Sequence, residues 1–225
     1  MTESTSSKTL GLTADEVLTT TRAVRRRLDL TRPVPRELIQ EAVTVATQAP
    51  SGRNQQQWDF IFVDDPATKA TMADLWRAGL ALGNPYEHHG LSIPTRGSFA
   101  SAEWRRIRSS LGYLLEHLQE VPVLMVPVVR VPTRAELRTV HGQAHNWGSV
   151  LPAVWSFMLA ARERGLGTCW TIGHLAYEQE MADLLGLPFE TTVQVALTPV
   201  AYTIGTDFKP ASRADAAHFT HWNRW

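Results

Sequence analysis

Apolar residues recur at helical spacing in six stretches of the chain, which are separated by turns rich in glycine and proline. Behind Pro35, for example, residues 38–46 are apolar every three to four positions, and the fixed φ of proline suits the first turn of a helix. The stretches predict helices over 13–27, 35–49, 66–82, 102–119, 145–164 and 177–185. The helix over 145–164 is apolar on all sides, which predicts that it lies inside the core.

The remaining apolar stretches have the pattern of strands. Strands are predicted over 58–63, 121–129 and 192–198, with a short extended piece over 169–172. The run over 121–129 is almost continuously apolar, as in a strand buried on both faces, but Pro122 and Pro127 call for an edge or bulge position. Helices and strands interleave, which favours one α/β or α+β domain. We expect that domain to span 13–225 and to follow a loose tail over 1–12.

Two long segments have no periodicity. Residues 83–99 predict an irregular loop, and loops of that length in compact domains often bind ligands or act as lids. Residues from 202 to the end form a polar tail that contains three aromatic residues without an obvious local core, Phe219, Trp222 and Trp225. Such side chains need another surface to cover them.

Composition and charge narrow the class of protein. The 22 basic and 22 acidic residues balance, so no overall field draws the chain to nucleic acid. No apolar run approaches the roughly 20 residues that cross a bilayer. The single cysteine, Cys169, allows no intrachain disulfide, and the polar start of the chain lacks the apolar core of a secretory signal. These features predict a cytoplasmic protein without a nucleic-acid or membrane partner.

The segment Ala49-Pro50-Ser51-Gly52-Arg53-Asn54-Gln55-Gln56-Gln57-Trp58 has more hydrogen-bonding side chains than a turn needs for packing. Its proline, serine and glycine are ordinary turn residues, so a helix end followed by a turn explains part of the pattern. The amides of Asn54 and Gln56 are not explained in that way. Together with the hydroxyl of Ser51 they favour a site for a flat, polar ligand.

Two basic clusters could bind an anion. Four arginines lie between Arg22 and Arg27, and Lys209 and Arg213 lie close together near the end of the chain. The planar guanidinium group matches phosphate oxygens in pairs. A basic cluster taken alone more often faces water, so neither cluster is decisive by itself.

Taken in order along the chain, these segments resemble the FMN-dependent nitroreductases. The resemblance covers roughly residues 16 to 225. It rests on Thr21-Arg22-Ala23-Val24-Arg25, Pro33-Val34-Pro35, the segment 49–58, the turn Gly165-Leu166-Gly167-Thr168 behind a helix, and Lys209 with Arg213. The chain departs from the family pattern Arg-Arg-Ser-x-Arg at Thr21 and Ala23, and it has Gln57 where proline is common.

The resemblance implies an α+β fold of the nitroreductase type, with a central, mainly antiparallel sheet flanked by helices, in an intertwined homodimer. It implies FMN as the cofactor and NADPH or NADH as a transient hydride donor; because the flavin carries the chemistry, no side chain has a catalytic role. Arg22, one of the next arginines and Arg213 would hold the phosphate, and the turn after the second helix would often come from the neighbouring subunit. The residues implied to bind the cofactor are Arg22, Ala23, Arg25, Arg26, Ser51, Asn54, Gln56, Ser149, Ile172, Gly173, Lys209 and Arg213.

The implied reaction is a ping-pong hydride transfer from NAD(P)H through the flavin to a nitroaromatic or quinone-like acceptor. From loop length and aromatic content, we expect Tyr86, His88 and Phe99 in the loop 83–99 to shape the acceptor pocket. The alternatives are an FMN-binding or flavin-modifying protein of the same fold without this turnover, and a dimeric interaction protein with a vestigial pocket.

Other reactive residues have simpler explanations. Cys169 lies in a buried-looking extended piece, so we interpret it as an inert small apolar residue. His141 and His145 are four residues apart, but without an adjacent glutamate motif or a third ligand we predict no metal site. No G-x-G-x-x-G follows a strand, so a Rossmann nucleotide site is not expected.

Overall fold

A computed structural model describes residues 9–82 and 101–225, with the side chains of 101–104 excepted. Within these residues an antiparallel sheet of five strands forms the centre. The strands are β1 (Trp58–Val63), β2 (Val123–Arg130), β3 (Leu166–Thr168), β4 (Thr192–Gln194) and β5 (Thr198–Tyr202). The order is β1-β2-β5-β3, and β4 pairs with β2 beyond the end of β5.

The sequence predicts an edge or a bulge position for Pro127, and the edge alternative is wrong. β2 is the central strand, paired with β1 on one side and with β4 and β5 on the other. Pro127 falls where the pairing partner changes from β5 to β4, and its carbonyl accepts a hydrogen bond from the backbone N–H of Val195 at 2.9 Å. The ladder is interrupted there, so the missing proline N–H costs the sheet little. The predicted strand 192–198 covers β4 but stops at the first residue of β5.

Six helices flank the sheet in the described part of the chain. They are α1 (Ala14–Thr20), α2 (Arg36–Ala46), α3 (Pro66–Ala81), α4 (Ser101–His117), α5 (Val140–Glu163) and α6 (Glu178–Leu185). The helix ends follow local chemistry. Thr13 and Glu16 form a reciprocal capping box at the start of α1, Asp65 caps α3, and Gly186 ends α6 with φ +67°.

The core has two layers, one on each face of the sheet. One apolar cluster packs α2 and α5 against residues such as Met125 and Val200, and the other packs α3 and α4 against residues such as Leu124 and Val126. This alternation along β2 confirms the predicted strand buried on both faces. The fold is the α+β arrangement that the sequence predicted, and no helix in the described residues is long and apolar enough to span a bilayer.

The prediction that the long helix is core on all sides is wrong. The sheet and α2 cover one side of α5, while His141, Ala144, Gly148, Leu151 and Trp155 form an exposed stripe with spacing 3-4-3-4. Leu151 and Trp155 are 40% and 41% exposed. The C-terminal tail is also largely exposed, with Trp222 at 83% and Trp225 at 91%. An apolar stripe with this spacing is typical of a helix that packs against a second helix.

Candidate functional site

The arginine segment is extended and lies along β3. The backbone N–H of Val24 donates to the carbonyl of Thr168 at 2.8 Å, and Ala23 forms an isolated parallel bridge with Thr168. Val24 is buried in the core, while its neighbours Arg22 and Ala23 are exposed.

The structure brings the first arginine together with the C-terminal tail. Nη1 of Arg22 donates to the backbone carbonyl of Lys209 at 3.1 Å, although the two residues are far apart in sequence. Arg213 is exposed, and its Nη1 donates to the carbonyl of its neighbour Ser212 at 2.9 Å. The side chain of Arg22 thus contacts the backbone of the second cluster at Lys209, whereas Arg213 lies on the exposed tail nearby in sequence; their common role in binding phosphate stays a prediction.

Arg25 and Arg26 both reach α4. Nη1 of Arg25 lies 3.3 Å from Oγ of Ser110, and Nη2 of Arg26 donates to Oγ of Ser109 at 2.8 Å. Nε of Arg25 is buried, and the Arg25 side chain lies next to the thiol of Cys169. Burial raises the pKa of that thiol, whereas the charge of Arg25 and a hydrogen bond from its side chain oppose that shift. The thiol is fully buried, in line with an inert structural role.

Residues 172 and 173 follow β3 at the same end of the sheet. The backbone of Thr171 pairs with Leu197, which leaves the side chain of Ile172 at the surface, 50% exposed. A β-carbon on Gly173 would lie 2.8 Å from Cγ of Leu80 and 3.0 Å from the ring of Trp76. Because Gly173 has no side chain, its backbone can lie directly against α3.

The turn that contains Ser51, Asn54 and Gln56 is strained. Arg53, Asn54 and Gln56 have φ of 54°, 56° and 48°, in the left-handed region that residues with a β-carbon rarely adopt. Oγ of Ser51 accepts from the backbone N–H of Gln56, and Oδ1 of Asn54 accepts from Nε2 of Gln56. Non-glycine residues in this region cost about 1–3 kcal/mol each and cluster at ligand sites, so the turn remains a candidate for binding.

The turn is held against the first half of α5. The backbone N–H of Gly52 donates to Oγ of Ser149 at 3.2 Å, and that hydroxyl donates to the carbonyl of His145 at 2.8 Å. Nε2 of His145 lies 3.0 Å from Oε1 of Gln55. The sequence placed Ser149 near the cofactor; in the structure it holds the turn. His145, considered above as a metal ligand, also supports the turn.

The predicted site residues therefore form two groups in one protomer. The arginine segment and Lys209 lie at one end, the turn with Ser149 lies at the other, and Gly173 lies against α3. No hydrogen bond or ion pair joins the groups within residues 9–82 and 101–225. At a rise of 1.5 Å per residue along α5, Ser149 is about 20 Å from Arg162. Arg162 contacts Thr20 at the end of α1.

Two candidate functional residues could not be recognised from the sequence. Arg162 in α5 is only 5% exposed and lies under the arginine segment, although the sequence showed it as one of several charges at a helix end. His174 is fully buried with no hydrogen bond to either ring nitrogen in the described part of the chain, and burial lowers its pKa to about 4. Neither has a signal in sequence, because burial of a charged or polar side chain is set by tertiary packing.

Other predictions concern metals and the acceptor pocket. No group of three or more His, Cys, Asp or Glu residues that could hold a metal ion occurs among the described residues. Tyr86, His88 and Phe99 lie outside the described residues, so their predicted role in the acceptor pocket stays a prediction.

Comparison with known proteins identifies the family. The family model described as "Nitroreductase family" matches residues 18–202, which is most of the chain. The chain belongs to the nitroreductase family. A curated nitroreductase relative, the putative NAD(P)H nitroreductase YfhC of Bacillus subtilis (strain 168), is 21% identical over 155 residues, which is 69% of this chain and 68% of that protein.

Solved structures with the nitroreductase fold are also similar. A mutant of the FMN and NADPH-dependent nitroreductase NfnB of Sphigopyxis sp. strain HMH superposes with a TM-score of 0.67 at 21% identity, over 95% of this chain and 100% of that chain. An iodotyrosine deiodinase bound to FMN and 3-iodo-L-tyrosine superposes with a TM-score of 0.66 at 22% identity, over 92% and 98%. At these identities the likeness establishes the fold.

Proposed function

We propose that this nitroreductase-family protein is an FMN-dependent oxidoreductase that uses NADPH or NADH and reduces a nitroaromatic or quinone-like acceptor in ping-pong order. The chemistry that FMN supplies when bound is hydride transfer, so the protein has only to bind, orient and shield it. Membership of the family and the cofactors of the similar solved structures support FMN and NAD(P)H. The iodotyrosine deiodinase indicates that the fold also serves other small molecules, which leaves the acceptor class to experiment.

The observation that carries the proposal is the contact between Arg22 and Lys209. It joins the arginine segment to the backbone of the C-terminal tail at one end of β3, and an anionic group bound there would meet the charge of Arg22. Arg25, a few residues further along the same segment, adds a second positive charge, and its Nη1 lies 3.3 Å from Oγ of Ser110. A positive charge beside the flavin ring favours the reduced, anionic form. We assign Arg22 to the phosphate end and Arg25 to the ring end of the cofactor.

The proposal requires a homodimer, because the strained turn and the arginine segment lie at opposite ends of α5. The exposed stripe on α5 has its largest apolar side chains, Leu151 and Trp155, between those ends. A two-fold axis near Trp155 would pack two copies of α5 antiparallel and bring Ser149 of one subunit opposite the Arg162 region of the other. We therefore propose that Ser51, Asn54 and Gln56 reach the cofactor held by the partner's arginine segment.

We also propose a cytoplasmic location. Cys169 is buried and is the only cysteine of the chain, which suits a reducing compartment.

Initial-rate kinetics test the reaction. The purified protein is loaded with FMN, and rates are measured against NADPH and NADH at several fixed concentrations of a nitroaromatic and of a quinone. The proposal predicts parallel double-reciprocal lines, as in a ping-pong reaction, with at least one pair of substrates. FMN binding without turnover with either nucleotide and either acceptor would favour the alternative of a flavin-binding or flavin-modifying protein.

A further inference from the structure

The side chain of Arg162 is a buried cation. It is 5% exposed, and two of its three nitrogens are used: Nε donates to Oγ1 of Thr20 at 3.2 Å and Nη2 donates to the carbonyl of Thr206 at 3.0 Å. Its third nitrogen, Nη1, is buried and has no hydrogen-bond partner among the described residues. Burial also lowers the pKa of this guanidinium, as expected of a charge removed from water.

Nearby carboxylates make no hydrogen bond to Arg162, because each accepts its hydrogen bonds from other groups. Oε2 of Glu16 accepts from the backbone N–H of Thr13 at 2.8 Å in the capping box of α1. Oε1 of Glu163 accepts from the backbone N–H of Gly11 at 2.8 Å. Both glutamates attract Arg162 at longer range, but no ion pair involving Arg162 is formed within the described part of the chain.

A second arginine shares an aromatic ring with Arg162. Arg27 stacks on the ring of Phe208 with its guanidinium carbon 4.2 Å from the centroid, and Arg162 approaches the same ring at 5.0 Å. Asp207 pairs with Arg27 at 2.6 Å and balances its charge, so this carboxylate makes no ion pair with Arg162. A buried N–H donor without a partner costs about 1–3 kcal/mol, which makes the free Nη1 of Arg162 favourable for an acceptor oxygen from outside the chain.

The free nitrogen belongs to a residue that lines a small cavity. The cavity lies beneath the arginine segment and is lined by Thr20, Thr21, Arg22, Arg162, Thr168 and Phe208, among others. Its volume is about 10 Å³, roughly the room that one water molecule or one phosphate oxygen needs. The two arginines in its lining offer hydrogen-bond donors to such an oxygen, whereas the hydroxyls of Thr20 and Thr21 already donate to the carbonyls of Glu16 and Val17.

We propose that Arg162 is a buried phosphate-binding residue, and that one oxygen of the FMN phosphate enters this cavity and accepts a hydrogen bond from its Nη1. Arg22 and Lys209 meet the remaining phosphate charge at the mouth of the cavity. The inference rests on the proposed function, and it adds a cation from the core to the two basic clusters at the surface. It also explains how a segment with threonine at position 21, where the family pattern has arginine, can retain enough positive charge.

The test compares affinities for FMN and for riboflavin, which lacks the phosphate, in phosphate-free buffer. We expect Arg162→Gln to weaken FMN binding tenfold or more while riboflavin binding stays within twofold of wild type. Arg164→Gln is the matched control, because Arg164 lies two residues away and pairs with Glu41. It should leave both affinities within twofold. Equal weakening of FMN and riboflavin by Arg162→Gln, or no change in either, would overturn the inference.

A second pair of variants keeps the test decisive if Arg162→Gln does not fold. Thr21→Glu places a carboxylate in the cavity, and Thr21→Gln is its uncharged counterpart. If the cavity is an anion site, the FMN-free Thr21→Glu protein should have a higher melting temperature than the FMN-free Thr21→Gln protein. The Thr21→Glu protein should also bind FMN more weakly than the Thr21→Gln protein does, while both bind riboflavin equally. An FMN-free Thr21→Glu protein that melts below Thr21→Gln and has the same preference for FMN would contradict the site.

Inorganic phosphate tests the anion site independently of flavin binding. At matched ionic strength, phosphate should raise the melting temperature of FMN-free wild type more than that of Arg162→Gln, and it should compete with FMN. If the protein binds no flavin but phosphate still stabilises it through Arg162, the proposed function fails and a free-anion site remains. If FMN binds and its preference over riboflavin does not depend on Arg162, the function stands and the inference fails.

Discussion

Gly79 in α3 and Gly173 after β3 are in such close contact that a β-carbon on Gly79 would lie 1.9 Å from the carbonyl oxygen of Gly173. Contacts of real β-carbons below 3.0 Å essentially do not occur. The two glycines therefore set how far residues 172 and 173 stand from α3. Because Ile172 and Gly173 are predicted to bind the cofactor, the contact links packing in the core to the candidate site.

Replacement of Gly79 by alanine should displace the backbone at Gly173. We expect Gly79→Ala to lower the free energy of unfolding by about 1–3 kcal/mol, as in overpacked cores, and to weaken FMN binding. Gly112→Ala in α4 is the control, because an added β-carbon there meets no described atom within 4 Å. Alanine in a helix interior should leave stability unchanged or raise it by up to about 1 kcal/mol. Denaturant unfolding of both variants checks this, and equal stabilities would refute the packing argument.

The hydroxyl of Ser149 should be needed for the strained turn. In Ser149→Ala the backbone N–H of Gly52 loses its acceptor, and an unsatisfied, partly buried donor costs about 1–3 kcal/mol. We expect lower stability together with weaker FMN binding, since the turn can relax from its left-handed conformation. Ser156→Ala on the same helix is the comparison. If calorimetry and FMN titration give the same values for the two variants, Ser149 does not hold the turn.

Local features of the fold were predictable from the sequence because local chemistry sets them. β1 lies over the predicted residues 58–63, and the capping box at Thr13, the proline at the start of α3 and Gly186 after α6 fix helix ends within a few residues. The fold family followed from the order of the motifs, which the family match confirms.

Relations between distant segments were not predictable from residue patterns. The central place of Pro127 depends on the break between β4 and β5, and the exposed side of α5 depends on which faces the sheet covers. For the candidate site, the sequence named the arginine segment and the turn. It could not show that Arg22 meets Lys209 or that Arg162 is buried, because both depend on the path of the chain after β5.

The stripe on α5 should hold two subunits together. We expect Trp155→Glu to convert a dimer into monomers and to reduce FMN affinity at least tenfold, because a charge replaces an apolar side chain in the proposed interface. Val45→Glu on α2 is the matched control, since Val45 and Trp155 have the same exposed fraction, 41%. Size-exclusion chromatography with light scattering gives the oligomeric state. A Trp155→Glu protein that stays dimeric and binds FMN as wild type does would exclude this interface.

His174 should make stability depend on pH. Its pKa is about 4 in the folded protein because burial disfavours the charged form, whereas an unfolded histidine titrates near 6.5. Between these values the unfolded chain binds more protons than the folded protein. The contribution of His174 to the free energy of unfolding is therefore constant above pH 6.5 and falls as the pH is lowered towards 4. The full loss is on the order of 3 kcal/mol.

The variant His174→Leu isolates this effect. It should lose most of the decline between pH 6.5 and 4, with the exposed His141→Gln as control. Carboxylates such as Asp65, whose pKa is lowered by the N–H of Thr68, lose their contribution at lower pH in both proteins. Denaturant unfolding at several pH values measures the slopes. The same slope in His174→Leu and wild type would show that His174 does not titrate as a buried group.

We propose that the two basic clusters and the strained turn bind a flavin, which is reduced by a nucleotide and reoxidised by an acceptor. The most direct measurement is the visible absorption spectrum of the FMN-loaded protein under anaerobic conditions, before and after NADPH or NADH, and again after a nitroaromatic or quinone is added. We expect the flavin absorption band to bleach with at least one nucleotide and to return when an acceptor is added. A protein that holds no FMN, or whose flavin band is unchanged by both nucleotides, would contradict it.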